Sequence, residues 1–242
     1  SECGVASRRA SEILIEEGKV KVNGQIVDEL GTKIIPGKDK VQVRNKIVVP
    51  PQKGILIFHK PRLVVSTLND PEGRPCVADY LTKHYTSYYP VGRLDYESTG
   101  LIILTNDGEL AEALMHPRYQ IKRTYQVRVE GHPTDNALRK LLSGVKLYDG
   151  NAKAEEVSFI RTEGDTTWIE ISVREGRNRL IRRMMDKIGY PVAKLRRVSH
   201  GPFKIGKLKP GEMRKLTEKE YASMRKVVLA RARNSTAQKR SK

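Results

Sequence analysis

The sequence predicts an α+β protein: a small helix-and-hairpin module followed by a larger domain built on a mixed, largely antiparallel sheet. Three observations predict it. Short runs alternating apolar and charged residues flank an Asn-Gly turn near the start. Pro50-Pro51 then interrupts the chain, and beyond it apolar strand-like runs alternate with short segments of helical spacing. At 242 residues the chain can bury one sizeable core and a satellite, which agrees with two domains.

The first unit covers residues 1–49. Its helix starts at Ser7-Arg8-Arg9, where the serine suits an N-cap, carries apolar residues at helical spacing and closes on Gly18. Lys19-Val20-Lys21-Val22 alternates charged with apolar, Asn23-Gly24 supplies a turn that needs positive φ, and Gln25-Ile26-Val27 returns as a second strand. Lys40-Val41-Gln42-Val43 repeats the alternation. Residues 50–54, from Pro50 to Gly54, can continue neither a helix nor a central strand and read as a linker.

The second domain, 55–228, opens with the apolar strand Ile55-Leu56-Ile57-Phe58. Further strands are expected at Leu101-Ile102-Ile103-Leu104, Thr124 to Val129 and Trp168 to Val173, with helices over Leu110 to Leu114 and Asn178 to Ile188. Residues 229–242 carry Arg231, Arg233, Lys239, Arg240 and Lys242 without an acid, so a disordered basic tail is expected there.

Forty-six Lys and Arg against 28 Asp and Glu give a formal charge of +18. Such an excess says little about fold and much about partners, because clustered cations gain affinity for polyphosphate by releasing its condensed counterions. Cys3 and Cys76 lie far apart with no Cys-x-x-Cys pairing, and the five histidines are scattered, so neither a disulfide framework nor a metal site is expected. No cofactor is implied. No apolar run reaches membrane-span length and no secretory leader is visible, so a soluble chain without a membrane partner is expected. The cytoplasm fits best. The chain opens without an initiator methionine, and a native start, or a transit peptide to an organelle, could precede Ser1.

The most informative stretch is Gly92-Arg93-Leu94-Asp95-Tyr96-Glu97-Ser98-Thr99-Gly100, just before the apolar run from Leu101. It sets a carboxylate beside a guanidinium in a loop entering a buried strand, a common place for chemistry. Taken alone, Asp95 could equally be a turn or cap residue.

In its flanks, this stretch resembles the catalytic motif of the RsuA/RluB family of ribosomal RNA pseudouridine synthases. Other blocks agree in order and spacing: Leu104-Thr105-Asn106-Asp107-Gly108, His116-Pro117-Arg118-Tyr119, Lys122-Arg123-Thr124-Tyr125, Glu175 to Met184, and Gly201-Pro202-Phe203. The first 49 residues resemble the S4-type RNA-binding module of ribosomal protein S4. There Arg8, Arg9, Lys19 and Lys21 would form a concave basic surface for a bent phosphate backbone, although Arg8 and Arg9 also read as a solvated helix face.

The resemblance implies an S4-type module and a pseudouridine synthase domain, acting on ribosomal RNA or an assembly precursor as a monomer. Isomerising uridine adds and removes nothing, so the implied reaction needs no metal, nucleotide or redox cofactor. Asp95 matches the family carboxylate, which can act as nucleophile or base, and Arg182 matches a guanidinium able to hold it through a bidentate pair. Tyr125 matches the tyrosine beside the target base. Arg93 matches the residue that takes the space of an extruded nucleotide. Leu180 departs from the pattern, because a glutamine often precedes Ile-Arg there.

The run Arg177, Arg179, Arg182, Arg183, Lys187, Lys194, Arg196 and Arg197 is interrupted by one acid, Asp186, and is expected to wall an RNA cleft, with Lys60 and Arg74 able to join it. The motif blocks look more like large-subunit than small-subunit enzymes. The competing reading is a non-catalytic RNA-binding assembly factor on the same fold. A third, a hydrolase pairing Asp95 with Glu97, has less support.

Overall fold

The computed structural model describes residues 1–240, with side chains through Arg233. It divides into two compact units: residues 1–53 with the segment Leu81–Tyr88, and residues 54–80 with the chain from Tyr89 onward. The segment Leu81–Tyr88, expected inside the second domain, therefore belongs with the first. Within that unit Tyr85 and Tyr88 pack edge to face, and Ser87 lies against Gly4.

In the first unit α1 (Arg8–Glu16) is capped by Ser7, whose Oγ accepts from the Ala10 amide at 3.3 Å. Four short strands follow, β1 (Val20–Val22), β2 (Gln25–Ile26), β3 (Val41–Val43) and β4 (Lys46–Ile47), in the antiparallel order β2-β1-β3-β4. The β1–β2 turn is made by Asn23 and Gly24, both at positive φ, so the hairpin closes in two residues.

The second unit is a nine-stranded sheet. Its strands are β5 (Ile55–Lys60), β6 (Tyr89–Val91), β7 (Thr99–Thr105), β8 (Arg123–Glu130), β11 (Glu156–Glu163), β12 (Thr166–Val173), β13 (Val192–His200), β14 (Phe203–Lys204) and β15 (Met213–Lys215). A separate hairpin joins β9 (Val145–Leu147) to β10 (Gly150–Ala152). The sheet runs β11-β12-β8-β13-β7-β5-β15, with β14 on β13 and β6 on β7. Every pairing is antiparallel except β13 with β7.

The helices are α2 (Gly108–Met115), α3 (Asp135–Ser143), α4 (Leu180–Lys187) and α5 (Glu218–Arg240). Two apolar clusters result. One joins β5 and β7 to α2 and α5 through Ile55, Ile57, Leu101, Ile103, Leu110, Leu114 and Leu229. The other joins β8 and β12 to α3 and α4 through Val127, Val129, Leu141, Ile169, Ile171 and Met184. Burying these side chains is the main driving force for the unit.

The basic tail expected from residue 229 is instead helix through Arg240, while Ser241 and Lys242 lie outside the described residues. Val228, Leu229 and Ala232 are buried, so their apolar spacing holds the chain that its charge alone would leave disordered. Thr217 and Glu220 start this helix as a capping box: the Thr217 amide donates to Glu220 and the Glu220 amide to Thr217 Oγ1.

Candidate active site

Asp95 lies in the loop between β6 and β7, and that loop is fixed on both sides of it. The Ser66 hydroxyl donates to the Leu94 carbonyl at 2.8 Å and accepts from the Leu94 amide at 3.0 Å. The Tyr96 carbonyl accepts from the Leu63 amide at 2.8 Å, and the Ser98 amide donates to the Asp95 carbonyl at 3.0 Å. Leu63 holds this contact at φ 60°, a left-handed backbone that costs a non-glycine residue energy. The Asp95 side chain itself is half-buried. Among the described residues its carboxylate makes neither an ion pair nor a hydrogen bond.

The sheet brings the other expected groups close. Arg197 on β13 is the register partner of Gly100 on β7 and of Tyr125 on β8, so Gly100 and Tyr125 lie two strand spacings apart, about 10 Å. Tyr125 is half-buried against the cluster that holds Val127 and α4. Arg182, on α4, is 7% exposed and donates Nη1 to the Val192 carbonyl at 3.0 Å. The expected bidentate pair with Asp95 is not formed. Burial and neighbouring Arg179 lower the Arg182 pKa, and the charges of Asp95, Glu97 and Asp186 oppose that fall.

A second cation is Lys60, which was expected on the RNA cleft wall and is instead fully buried at the end of β5. Its ammonium donates to the Val64 carbonyl at 2.7 Å, to Pro61 at 2.9 Å and to Tyr96 at 3.4 Å. Burial pulls its pKa down to about 8, against the pull of the Asp95 charge. Sequence reasoning missed Lys60 and Ser66 as builders of this site. The only signal for Lys60 was its position within an apolar strand; Ser66 gave none.

The basic run does not form one wall. Arg197 is 2% exposed and donates Nε to the Leu101 carbonyl at 2.8 Å, so it joins strands rather than meeting RNA. Arg196 is half-buried. Arg177 and Arg183 both grip Asp149, at 3.0 and 2.8 Å. Arg74 is held by Asp70 and Glu72. Arg93 and Arg179 remain exposed. In the first unit Arg8 and Arg9 are exposed and make no ion pair among the described residues, whereas Lys19 pairs with Glu17 and Lys21 donates to Asn45. Glu97 accepts from Arg62 at 3.1 Å rather than partnering Asp95.

Several motif blocks prove to be scaffold. Thr105 donates to the Gly54 carbonyl at 2.6 Å, Asn106 accepts from the Gly54 amide at 2.8 Å, and buried Asp107 accepts from Tyr221 and Arg225, both at 2.7 Å. Arg123 and His200 both meet the Leu114 carbonyl at the end of α2, at 3.0 and 3.2 Å; the Arg123 cation suits the negative helix terminus, whereas burial and the neighbouring Arg197 and Arg123 push the His200 pKa well below its ordinary value. Leu180 sits in the core behind Tyr125. No cluster of His, Cys, Asp and Glu fit for a metal occurs among the described residues, and none of their helices is long and apolar enough to cross a membrane. The arrangement therefore sets a carboxylate in a fixed, partly shielded loop whose charge is felt by two buried cations, Arg182 and Lys60, with Tyr125 two strand spacings from Gly100 in the same sheet.

Residues 54–187 match the RNA pseudouridylate synthase family, and residues 1–39 match the S4 domain. An uncharacterised RNA pseudouridine synthase of Aquifex aeolicus is 43% identical over 229 residues, 94% of this chain and 92% of that one. The ribosomal large subunit pseudouridine synthase B of Bacillus subtilis is 42% identical, covering 93% of each chain. A crystal structure of a pseudouridylate synthase superposes with a TM-score of 0.65 at 23% identity, covering 92% of this chain and 94% of that one, and supports the fold.

Proposed function

The chain belongs to the RNA pseudouridylate synthase family, and from that premise we propose that it isomerises a uridine of ribosomal RNA, in the large subunit, to pseudouridine. Relatives called ribosomal large subunit pseudouridine synthase B, at 42% and 39% identity, support that substrate. The observation that carries the mechanism is Asp95, held at both neighbouring residues and set in the field of two buried cations, Arg182 and Lys60.

In this reading the bond from ribose C1′ to uracil N1 breaks, the base turns, and C1′ rejoins at C5; the C5 proton leaves and N1 gains one. Asp95 acts as the carboxylate, either as nucleophile on the sugar or base or as a base at the ribose. Arg182 and Lys60 supply the positive charge that faces negative charge developing at this site. Tyr125 stacks on the flipped uracil and offers its hydroxyl for proton transfer. Exposed Arg93 fills the space the nucleotide leaves, and extrusion costs least from an unpaired site. Arg8 and Arg9 contact phosphate from the S4 module, and Arg179 does so beside the cleft. The reaction balances without metal or redox cofactor. Ribosomal RNA as substrate supports a cytoplasmic enzyme, and we read it as acting as a monomer.

The test is to map pseudouridine in large-subunit ribosomal RNA lacking the modification, after incubation with the wild-type chain and with Asp95→Asn. The expected result is a new site with wild type and none with the variant. Modification by Asp95→Asn would remove Asp95 from the chemistry, and no modification by wild type would overturn the assignment.

A further inference from the structure

The β9–β10 hairpin ends in a feature that neither packing nor turn chemistry explains. Leu147 pairs with Gly150, so Tyr148 and Asp149 alone make the turn. Two-residue hairpin turns favour Asn, Asp and Gly; a tyrosine gains nothing there from backbone geometry. Its side chain is 86% exposed, so it gains nothing from burial either. Yet the tip is held firmly. Arg183 grips the Asp149 carboxylate with both terminal nitrogens, at 2.8 and 3.0 Å. Arg177 donates to the same Asp149 Oδ1 at 3.0 Å and also to the Asp149 and Asn151 carbonyls at 3.1 and 2.8 Å. The Arg183 guanidinium carbon stands 4.7 Å from the centre of the Tyr148 ring.

We propose that the hairpin tip is a nucleobase-stacking subsite in which one face of Tyr148, backed by the Arg183 guanidinium on the other, receives an unpaired base of the substrate RNA. The proposal rests on the RNA-modifying reading above and adds to it a contact away from the target uridine. Stacking on an aromatic face is the common way proteins hold unpaired bases, and a guanidinium behind the ring strengthens it. Immobilising the ring beforehand lowers the ordering cost on binding, which is what the two arginines on Asp149 achieve. The position is suitable: Arg183 follows Arg182 on α4, so the tip and the proposed pocket are tied to the same helix. Two half-buried cations expected at an RNA wall, Arg177 and Arg183, are thereby reassigned from phosphate contacts to building this tip.

The experiment measures affinity, so it does not depend on turnover. Labelled stem-loop oligoribonucleotides from large-subunit ribosomal RNA are bound to the Asp95→Asn chain, with and without Tyr148→Ala, and each loop base is replaced in turn by an abasic nucleotide. The expected result is one loop position at which base removal weakens binding on the order of 10-fold with Tyr148 present and hardly at all in Tyr148→Ala. Tyr148→Phe, which keeps the ring, should bind as the parent does, and Tyr148→Leu should not. Equal affinity of Tyr148→Ala for every RNA, or losses that no base position shares, would overturn the proposal and leave the tip to a protein partner. If wild type failed to form pseudouridine while the coupling was present, the proposed function would fall and the stacking subsite would stand.

Discussion

A Cβ placed on Gly100 would stand 2.3 Å from the Arg197 carbonyl oxygen and 2.5 Å from its nitrogen, so the one parallel contact of the sheet depends on a residue without a side chain. Gly100 is also at φ 111°, where an L-residue is strained. The obstacle is backbone on both counts, so no rotamer can relieve it. Gly100→Ala is expected to cost more than about 3 kcal/mol in chemical denaturation. Because Arg197 pairs with both Gly100, five residues beyond Asp95, and Tyr125, any folded fraction should lose turnover more than RNA affinity. Wild-type stability in the variant would contradict the account.

Much of this was legible in the sequence, and the reason differs by residue. The Asn23-Gly24 hairpin and the buried strand from Leu101 follow from local rules, so turn chemistry and apolar content sufficed. Arg197 was misread as a surface cation because its neighbours Arg196 and Lys194 are more exposed; its burial comes from β7 and β8, paired with it from distant parts of the chain. Lys60 was misread for the same reason. The helix carrying Leu229 and Ala232 was hidden by its own charge, since five basic residues outweighed an apolar spacing that only the distant α2 makes useful. The placement of Asp95 came from its flanks, but the missing bidentate pair with Arg182 depended on a strand end, Val192, that occupies the guanidinium.

Arg182 makes no hydrogen bond to Asp95 and donates to one carbonyl, so the electrostatic role proposed for it separates charge from geometry. Arg182→Met is expected to lower kcat about 100-fold with a smaller change in RNA affinity, the signature of lost electrostatic support at a reacting group. Arg182→Lys should recover part of that loss, since it keeps the charge but not the planar fork. Single-turnover rates at saturating RNA measure both. Equal rates for Met and Lys would mean that charge at this position does not matter.

Lys60 gives a pH dependence whose sign is fixed. Its pKa is about 8 folded against an ordinary lysine value of 10.5, so between these values the unfolded chain holds a proton the folded one has lost. Stability from this group therefore rises with pH across that window. The stability of wild type minus that of Lys60→Met should grow by roughly 3 kcal/mol between pH 8 and 10.5. Urea denaturation at several pH values measures it. A difference that stays flat would show that the ammonium is solvated.

Arg8 and Arg9 stand on the first turn of α1 without an ion-pair partner among the described residues, so their charge is available to phosphate. The double variant Arg8→Gln, Arg9→Gln should bind ribosomal RNA more weakly, and the slope of log affinity against log salt should fall by about 2. At saturating RNA the single-turnover rate should not change. An unchanged salt slope would return these arginines to the status of a solvated helix face.

Asp107 is fully buried at the start of α2 and accepts from both Tyr221 and Arg225 of α5 at 2.7 Å. Burial first, and then the Asp107 carboxylate, push the Tyr221 hydroxyl pKa up, because a buried phenolate beside a carboxylate is disfavoured. Removing one partner of such a buried group leaves the others desolvated and unmatched, so Asp107→Ala should cost about 3–5 kcal/mol. Arg225→Met leaves the tyrosine hydrogen bond in place and should cost less. The loss should appear first as unfolding of α5, since Leu229 and Ala232 reach the core only while that helix is docked on α2. Hydrogen exchange along α5 reads this directly: faster exchange in residues 218–233 with protection retained in β8 and β12 is expected, and uniform loss across the sheet would show instead that Asp107 supports the whole unit.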